Sequence, residues 1–132
     1  MSIKVYWLDD DQRIIMQVFD GAWTIEEHLA SLNQVREMVA SKSHTVHSIA
    51  DMTKAGRAPA RLMLASRAAE NQVRPNTGML FIVNPDRFVG SILRVVRRTL
   101  PGLQSHLRIV SSRKQALKMI ESAEDGTIYT NA

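Results

Sequence analysis

The apolar run at residues 77–84, TGMLFIVN, is the feature that most constrains the fold. It is too short for a buried helix, and it lacks the alternation of a strand that has one face in water. Such a run is typical of an interior strand that is covered on both faces. Asn84-Pro85-Asp86 follows directly and combines a capping residue, a helix-opening proline and a first-turn acid. The stretch therefore predicts a buried strand that is followed at once by a helix.

Another helix start is marked by Thr24 and Glu27, which have the three-residue spacing of a capping box. Apolar residues recur from Ile25 at the period of a helix, so we expect this helix to run to about Ser41. Trp23 comes directly before the cap, where an apolar residue packs against the first turn. The spacing therefore predicts that Trp23 is buried against the start of this helix.

Strand-like and helix-like segments alternate along the chain. The predicted strands are residues 3–8, 13–19, 45–52, 77–84 and 107–111, and the predicted helices are residues 25–41, 59–71, 86–100 and 113–123. This order, β-β-α-β-α-β-α-β-α, predicts an α/β fold whose mixed five-stranded sheet has an antiparallel N-terminal hairpin and is covered by four helices. We expect a single domain over residues 1–132, with its core at about 3–123 and a tail, 124–132, that is loose or adds an edge strand.

The composition narrows the class of protein. The chain has no cysteine, which excludes disulfides and thiol catalysis. It begins without an apolar signal core, and no apolar run reaches the roughly 18–20 residues of a membrane span, so we expect a cytoplasmic protein. The net charge of +4 divides into −4 over residues 1–37 and +8 over residues 38–132. This split favours an anionic partner. Among anionic partners nucleic acid is less favoured, because aromatic residues are not interleaved with the arginines.

The order of elements, together with FDGAWTIEEHLASL followed by IADMTKAG, resembles STAS domains, the fold of anti-sigma-factor antagonists. The similarity is greatest to SpoIIAA-like, STAS/SEC14-type proteins of bacteria, and it extends over residues 3–123. In the antagonists the third strand ends in an Asp-Leu-Ser-like triplet, and a Ser-Ser-Gly follows at the start of the second helix, where a kinase phosphorylates it. Asp51-Met52-Thr53 matches the triplet, but residues 54–60, KAGRAPA, contain no hydroxyl. The resemblance thus implies a regulatory module without the usual phospho-acceptor serine.

The end of the third predicted strand is the first candidate site. Thr53 is either a displaced phospho-acceptor or, with Asp51, a residue that bonds local backbone where the strand stops. Lys54, Arg57 and Arg61 bring three cations to the start of the second predicted helix. They would hold a phosphate or carboxylate together with backbone N–H groups, unless they are only solvated surface cations or Asp51 neutralises one of the arginines.

Two helix faces form the second candidate site. Arg87, Arg94 and Arg98 recur along one side of the third predicted helix. They would contact an acidic partner or lipid head groups, or simply form the polar side of an amphipathic helix. Leu64 is opposite the core-facing residues of the second predicted helix, which predicts an exposed apolar patch and a homodimer formed through it.

Motifs of enzymes are missing from the sequence. Without a Gly-rich phosphate loop, a Ser/His/Asp order or paired carboxylates, we predict no catalytic residue, no metal and no cofactor. Asp9–Asp11 are expected to form a turn, and the four histidines, including His28 on the apolar side of the first helix, to have structural or surface roles. The sequence therefore predicts a non-catalytic regulatory or protein-interaction module that binds a protein partner or a second copy of itself. The alternative is a small-molecule or lipid-binding carrier of the SEC14-like type.

Overall fold

The computed structural model describes residues 2–62, 71 and 73–124. Its strands are β1 (Ile3–Trp7), β2 (Ile14–Gly21), β3 (Val46–Ala55), β4 (Thr77–Val83) and β5 (Leu107–Val110), and its helices are α1 (Ile25–Ala40), α2 (Arg87–Thr99), α3 (Pro101–Gln104) and α4 (Arg113–Glu124). The strands form one sheet in the order β1-β2-β3-β4-β5. β1 pairs with β2 antiparallel, and the three other neighbouring pairs are parallel. The predicted mixed sheet with its N-terminal hairpin is confirmed, and β3 and β4 are interior strands.

Several boundaries differ from the prediction, and one predicted helix is mostly not described. β3 continues to Ala55 rather than stopping at Met52, because Lys54 and Ala55 still pair with the end of β2 beyond a bulge. The predicted helix over residues 59–71 falls mostly on residues outside the described ones. Pro101 does not only end the preceding helix, since it also opens the short helix α3, where a proline suits the first position.

Side-chain caps fix where the long helices begin. Thr24 Oγ1 accepts a hydrogen bond from the Glu27 backbone N–H (3.1 Å), and Glu27 Oε1 accepts one from the Thr24 N–H (3.2 Å), so the predicted capping box is formed. The cap of α2 is Asp86, whose carboxylate accepts from the Val89 N–H at 2.8 Å. Asn84, predicted as part of this helix start, instead makes the turn out of β4 with a φ of 52°.

Helices cover both faces of the sheet. One face, here the α1/α2 face, buries Phe19, Ala50 and Met52 against the starts of α1 and α2. The other, here the α4 face, buries Met16, Ile49 and Phe81 against α4. The interior strands therefore carry apolar side chains on both sides, as the run at residues 77–84 predicts. None of the described helices has the length and apolarity needed to cross a membrane.

Candidate functional site

The carboxylate of Asp51 is the centre of a hydrogen-bonded group near the carboxyl end of β3. Its Oδ1 accepts from the Thr53 hydroxyl (2.6 Å) and from the Thr53 backbone N–H (3.0 Å), and its Oδ2 accepts from Arg113 Nε at 2.5 Å. Burial raises the pKa of Asp51, but the bonds from Thr53 and Arg113 outweigh burial, and the pKa lies below its usual value. Asp51 is therefore an ionised group that joins β3 to the start of α4.

The hydroxyl of Thr53 is engaged by this carboxylate. Thr53 is exposed to solvent, yet its Oγ1 donates to Asp51 rather than pointing free into solution. A phosphate on Thr53 would stand beside an ionised carboxylate and would be repelled by it. The geometry thus favours the local, structural role for this pair over the role of a displaced phospho-acceptor.

The loop after β3 is held against the start of α1. Gly56 donates its N–H to the Gly21 carbonyl (2.7 Å), and its own carbonyl accepts from Trp23 Nε1 at 3.2 Å. A Cβ at residue 56 would come within 2.9 Å of the Gly21 backbone, so only glycine fits this approach. These contacts fix the loop that carries the neighbouring cations.

Lys54, Arg57 and Arg61 are all exposed. In the part of the chain that the structure describes, none of them forms an ion pair or a side-chain hydrogen bond. Asp51, which in the alternative prediction neutralises one of these arginines, pairs with Arg113 at the start of α4 instead. No carboxylate among the described residues therefore neutralises these three positive charges.

An open groove of about 730 Å³ separates α2 from the edge strand β5, at the carboxyl ends of β4 and β5. Arg87, Ser91 and Arg94 form its α2 wall, and Ser111 and Gln115 lie on the other side. The structure thus places Arg87 and Arg94, two of the three arginines predicted along one side of this helix, at one concave surface. The sequence does not predict that Ser111 and Gln115 line a groove. It shows only that Ser112 and Gln115 have the three-residue spacing of a capping box.

The outer side of α2 is apolar as well as basic. Arg87, Arg94 and Arg98 are exposed, and so are Phe88, of which 51% is accessible, and Val95, of which 45% is accessible. On the apolar side of this helix Val89 and Val96 are buried in the core, whereas Phe88 and Val95 are not. We call the three arginines with Phe88 and Val95 the α2 surface.

The predictions for Leu64 and for the Asp9 turn have different outcomes. Leu64 lies outside the described residues. Asp9 accepts hydrogen bonds from the backbone N–H groups of Arg13 and Ile14 (both 3.0 Å), so it stabilises the turn of the N-terminal hairpin. Among the described residues, no three His, Asp or Glu side chains are grouped closely enough to hold a metal ion.

A cavity of about 150 Å³ lies between α1, α2 and the sheet. Most of its wall is apolar, and the polar residues Gln17 and His28 also line it. Gln17 is satisfied, since its Nε2 donates to Ser31 Oγ (2.7 Å), and that hydroxyl donates in turn to the His28 carbonyl (2.7 Å). No pattern in the sequence indicates this cavity.

His28 is packed among aromatic rings at the wall of the cavity. Its ring centroid lies 5.5 Å from that of Trp23 and 5.8 Å from that of Phe19. Its Nδ1 is buried, with no hydrogen-bond partner among the described residues. Burial lowers the pKa of His28 to about 4, so the imidazole is neutral at pH 7.

The fold is similar to that of the phosphorylated form of SpoIIAA, a Bacillus cell fate determinant. The two structures superpose with a TM-score of 0.60 at 9% sequence identity, and the alignment covers 89% of this chain and 98% of SpoIIAA. No protein-family model matches the sequence, and no curated protein sequence is significantly similar to it. The likeness confirms the predicted SpoIIAA-like fold.

Proposed function

We propose that this SpoIIAA-like fold serves as a non-catalytic regulatory module that binds an acidic protein partner through the α2 surface. The observation that carries the proposal is the exposure of three arginines beside Phe88 and Val95 on one helix. Arginine and aromatic side chains dominate the energetic centres of protein interfaces. Since these arginines have no carboxylate partner among the described residues, a partner that supplies carboxylates would satisfy them.

The cations after β3 extend this surface as a second point of contact. Ala58 and Leu62 of that segment belong to the same apolar cluster as Val89 of α2, so both segments pack on the same face of the sheet. An acidic partner bound to α2 would therefore come close to Arg57 and Arg61. Residues 54–60 carry no hydroxyl, so control of the partner by a phosphate within this loop is not part of the proposal.

The alternative function, a lipid-binding carrier of the SEC14-like type, is less well supported than the interaction module. Pockets for drug-sized ligands have volumes of about 300–1,000 Å³, and a lipid needs no less. The interior cavity, at about 150 Å³, is smaller than this range. Self-association through Leu64 remains a prediction on residues outside the described ones, and a second copy of the chain is one of the partners that the following experiment detects.

A photo-crosslinking residue on the α2 surface is expected to capture the partner. Ser91→p-benzoylphenylalanine places the crosslinker between Arg87 and Arg94, and Lys118→p-benzoylphenylalanine, on the exposed side of α4, is the control. In cells that express the protein, irradiation should give a defined product from residue 91 only. A product with the mass of two copies would identify the partner as the protein itself.

Charge reversal tests the role of the arginines. Arg87→Glu with Arg94→Glu should weaken the captured interaction by tenfold or more, because like charges would then meet across the interface. Arg36→Glu makes the same change on an exposed position of α1 and should leave the affinity unchanged. Equal crosslinking from residues 91 and 118 would contradict the proposal. So would an affinity that the charge reversal leaves unchanged.

Inorganic phosphate tests the contribution of the loop after β3. We expect its addition to shift the backbone amide resonances of residues 53–61 with an affinity in the millimolar range, because three exposed cations lie within these residues. The variant Lys54→Gln/Arg57→Gln/Arg61→Gln should lose the response. Amides that stay still up to tens of millimolar phosphate, while arginine side chains elsewhere respond, would remove this loop from the proposed surface.

A further inference from the structure

The outer edge of β5 borders the groove between α2 and the sheet. Among the described strands, β5 pairs only with β4. The Val110 carbonyl points towards β4, since it accepts a hydrogen bond from the Asn84 N–H at 2.9 Å. Backbone groups of successive residues in a strand point to opposite sides, so those of Ile109 point away from β4. Such an edge is a template on which a further strand can pair.

Side chains cover this edge on either side of Ile109 but not at Ile109 itself. The Leu107 carbonyl accepts from Arg108 Nη1 (2.9 Å), and the Ser111 N–H donates to Gln115 Oε1 (3.0 Å). No described residue bonds to the outward N–H or carbonyl of Ile109, which lines the groove and is 39% accessible. One donor and one acceptor are thus open at a single position, and an antiparallel partner residue exchanges both bonds with such a position.

Gly90 keeps the α2 wall of the groove open. It lies inside the helix, where glycine is less favourable than alanine. A Cβ at this position would meet no atom of a neighbouring element within 4 Å, so packing inside the described chain does not require the glycine. The close approach of a bound chain is a reason to keep a glycine at such a position.

Positive charge surrounds the same edge. Arg87 and Arg94 on the α2 wall are two helical turns apart, about 10 Å along the axis. Further along the helix, burial and the nearby charge of Arg97 lower the pKa of Arg108. None of these four arginines pairs with a carboxylate of a described residue, and Asp86, the acid in the groove wall, is engaged as the cap of α2. A chain that lies along this edge is therefore favoured when it is acidic.

We propose that an extended acidic segment of the partner protein adds to the sheet at β5, exchanges both backbone hydrogen bonds with Ile109, and places acidic side chains against Arg87 and Arg94. This inference rests on the proposed function, because it specifies how the acidic partner of the α2 surface is held. In strand addition, main-chain bonds supply affinity and side-chain contacts supply specificity. The partner is favoured over this chain's own C-terminal residues, because α4 ends at Glu124 beside Arg13, which precedes β2, three strands away from β5.

The peptide acetyl-Glu-Thr-Val-Thr-Glu-amide is the probe that tests this inference. Its two glutamates and central valine fall on one side of an extended strand, so the valine can lie opposite Ile109 while the glutamates reach Arg87 and Arg94. In the free protein, the Ile109 N–H should exchange with solvent faster than the N–H of Arg108 or Val110. We expect the peptide to bind with an affinity of about 1 mM, to slow the exchange of the Ile109 N–H, and to shift the amide resonances of residues 108–110 most.

Two altered peptides separate the backbone bonds from the charge. N-methylation of the central valine removes its N–H and should weaken binding about five- to tenfold, which is the loss of one net hydrogen bond. Replacing both glutamates by lysine should abolish binding, because like charges would then meet at the groove. An N-methylated peptide that binds as tightly as its parent would overturn the strand addition. An Ile109 N–H that is already protected from exchange in the free protein would overturn it as well.

Two variants of the protein complete the test. Gly90→Ala should raise the melting temperature, since alanine is the better helix former, yet weaken binding of the peptide about threefold or more because its methyl group narrows the groove. Ile109→Pro removes the open N–H at a position where an edge strand tolerates proline, and it should abolish peptide binding. A peptide affinity that Gly90→Ala leaves unchanged would overturn the close approach at the α2 wall.

Failure of this inference is distinguishable from failure of the proposed function. A partner that crosslinks to residue 91 and depends on the arginines, but binds Ile109→Pro as tightly as wild type, would keep the α2 surface and overturn the strand addition. The absence of any crosslinked product from residue 91 would contradict the proposed function itself, whatever the peptide shows.

Discussion

Trp23→Ala is expected to lower the free energy of unfolding by about 3–5 kcal/mol, the usual cost of truncating a buried aromatic side chain. Only 5% of Trp23 is exposed, and its indole packs edge-to-face on Phe19 with ring centroids 5.0 Å apart. Its Nε1 also donates to the Gly56 carbonyl at 3.2 Å. The residue therefore joins α1, β2 and the loop after β3, and its loss leaves both a cavity and an unpaired carbonyl. Equilibrium denaturation in urea measures the effect.

Two controls distinguish the packing from the hydrogen bond. Trp23→Phe retains an aromatic ring and removes the donor, so it should cost less than Trp23→Ala. Trp7→Ala removes the other tryptophan, which is only half-buried in β1, and should also cost less than Trp23→Ala. A loss below about 1 kcal/mol for Trp23→Ala would show that Trp23 does not hold this junction together.

The elements that the sequence predicts correctly are those set by local signals. Thr24 and Glu27 are three residues apart, and their capping box begins α1 at the expected residue and places Trp23 in the core. The run at residues 77–84 is apolar on both sides because the sheet is covered on both faces. Such signals depend on neighbours within a few residues, which a sequence displays directly.

The features that the sequence does not reveal depend on distant residues. Asp51 pairs with Arg113, 62 positions away, and no local pattern distinguishes this arginine from the nearer Arg57 or Arg61. Phe88 and Val95 are exposed while Val89 and Val96 on the same helix are buried, and which of them faces the core depends on how the helix is seated on distant strands. The volume of the cavity depends on how many side chains fill the space between α1, α2 and the sheet, and a sequence pattern does not predict this packing.

Acid is expected to destabilise the protein well above the pH at which its carboxylates titrate, and His28 is the main cause. Burial lowers its pKa from 6.5 in the unfolded chain to about 4 in the folded protein. Between these values the unfolded state binds a proton that the folded state does not, so stability is complete above pH 6.5 and falls as the pH falls towards 4. At 1.36 kcal/mol per pKa unit, the expected loss between pH 7.5 and pH 4.5 is about 2–3 kcal/mol.

His28→Phe assigns this loss, because the variant keeps a ring against Trp23 and Phe19 but cannot take up a proton. Its free energy of unfolding should change less with pH between 7.5 and 4.5 than that of wild type. The free energy of unfolding of His28→Phe should still depend weakly on pH. The reason is that burial also lowers the pKa of His47 and outweighs the opposing effect of the charge on Glu124. Asp51 and Glu27 add little in this window, because their pKa values lie below their ordinary 3.8 and 4.5, and most of the stability they contribute is lost below those values. Denaturation curves with equal pH dependence in wild type and His28→Phe would contradict the burial of a neutral imidazole at this wall of the core.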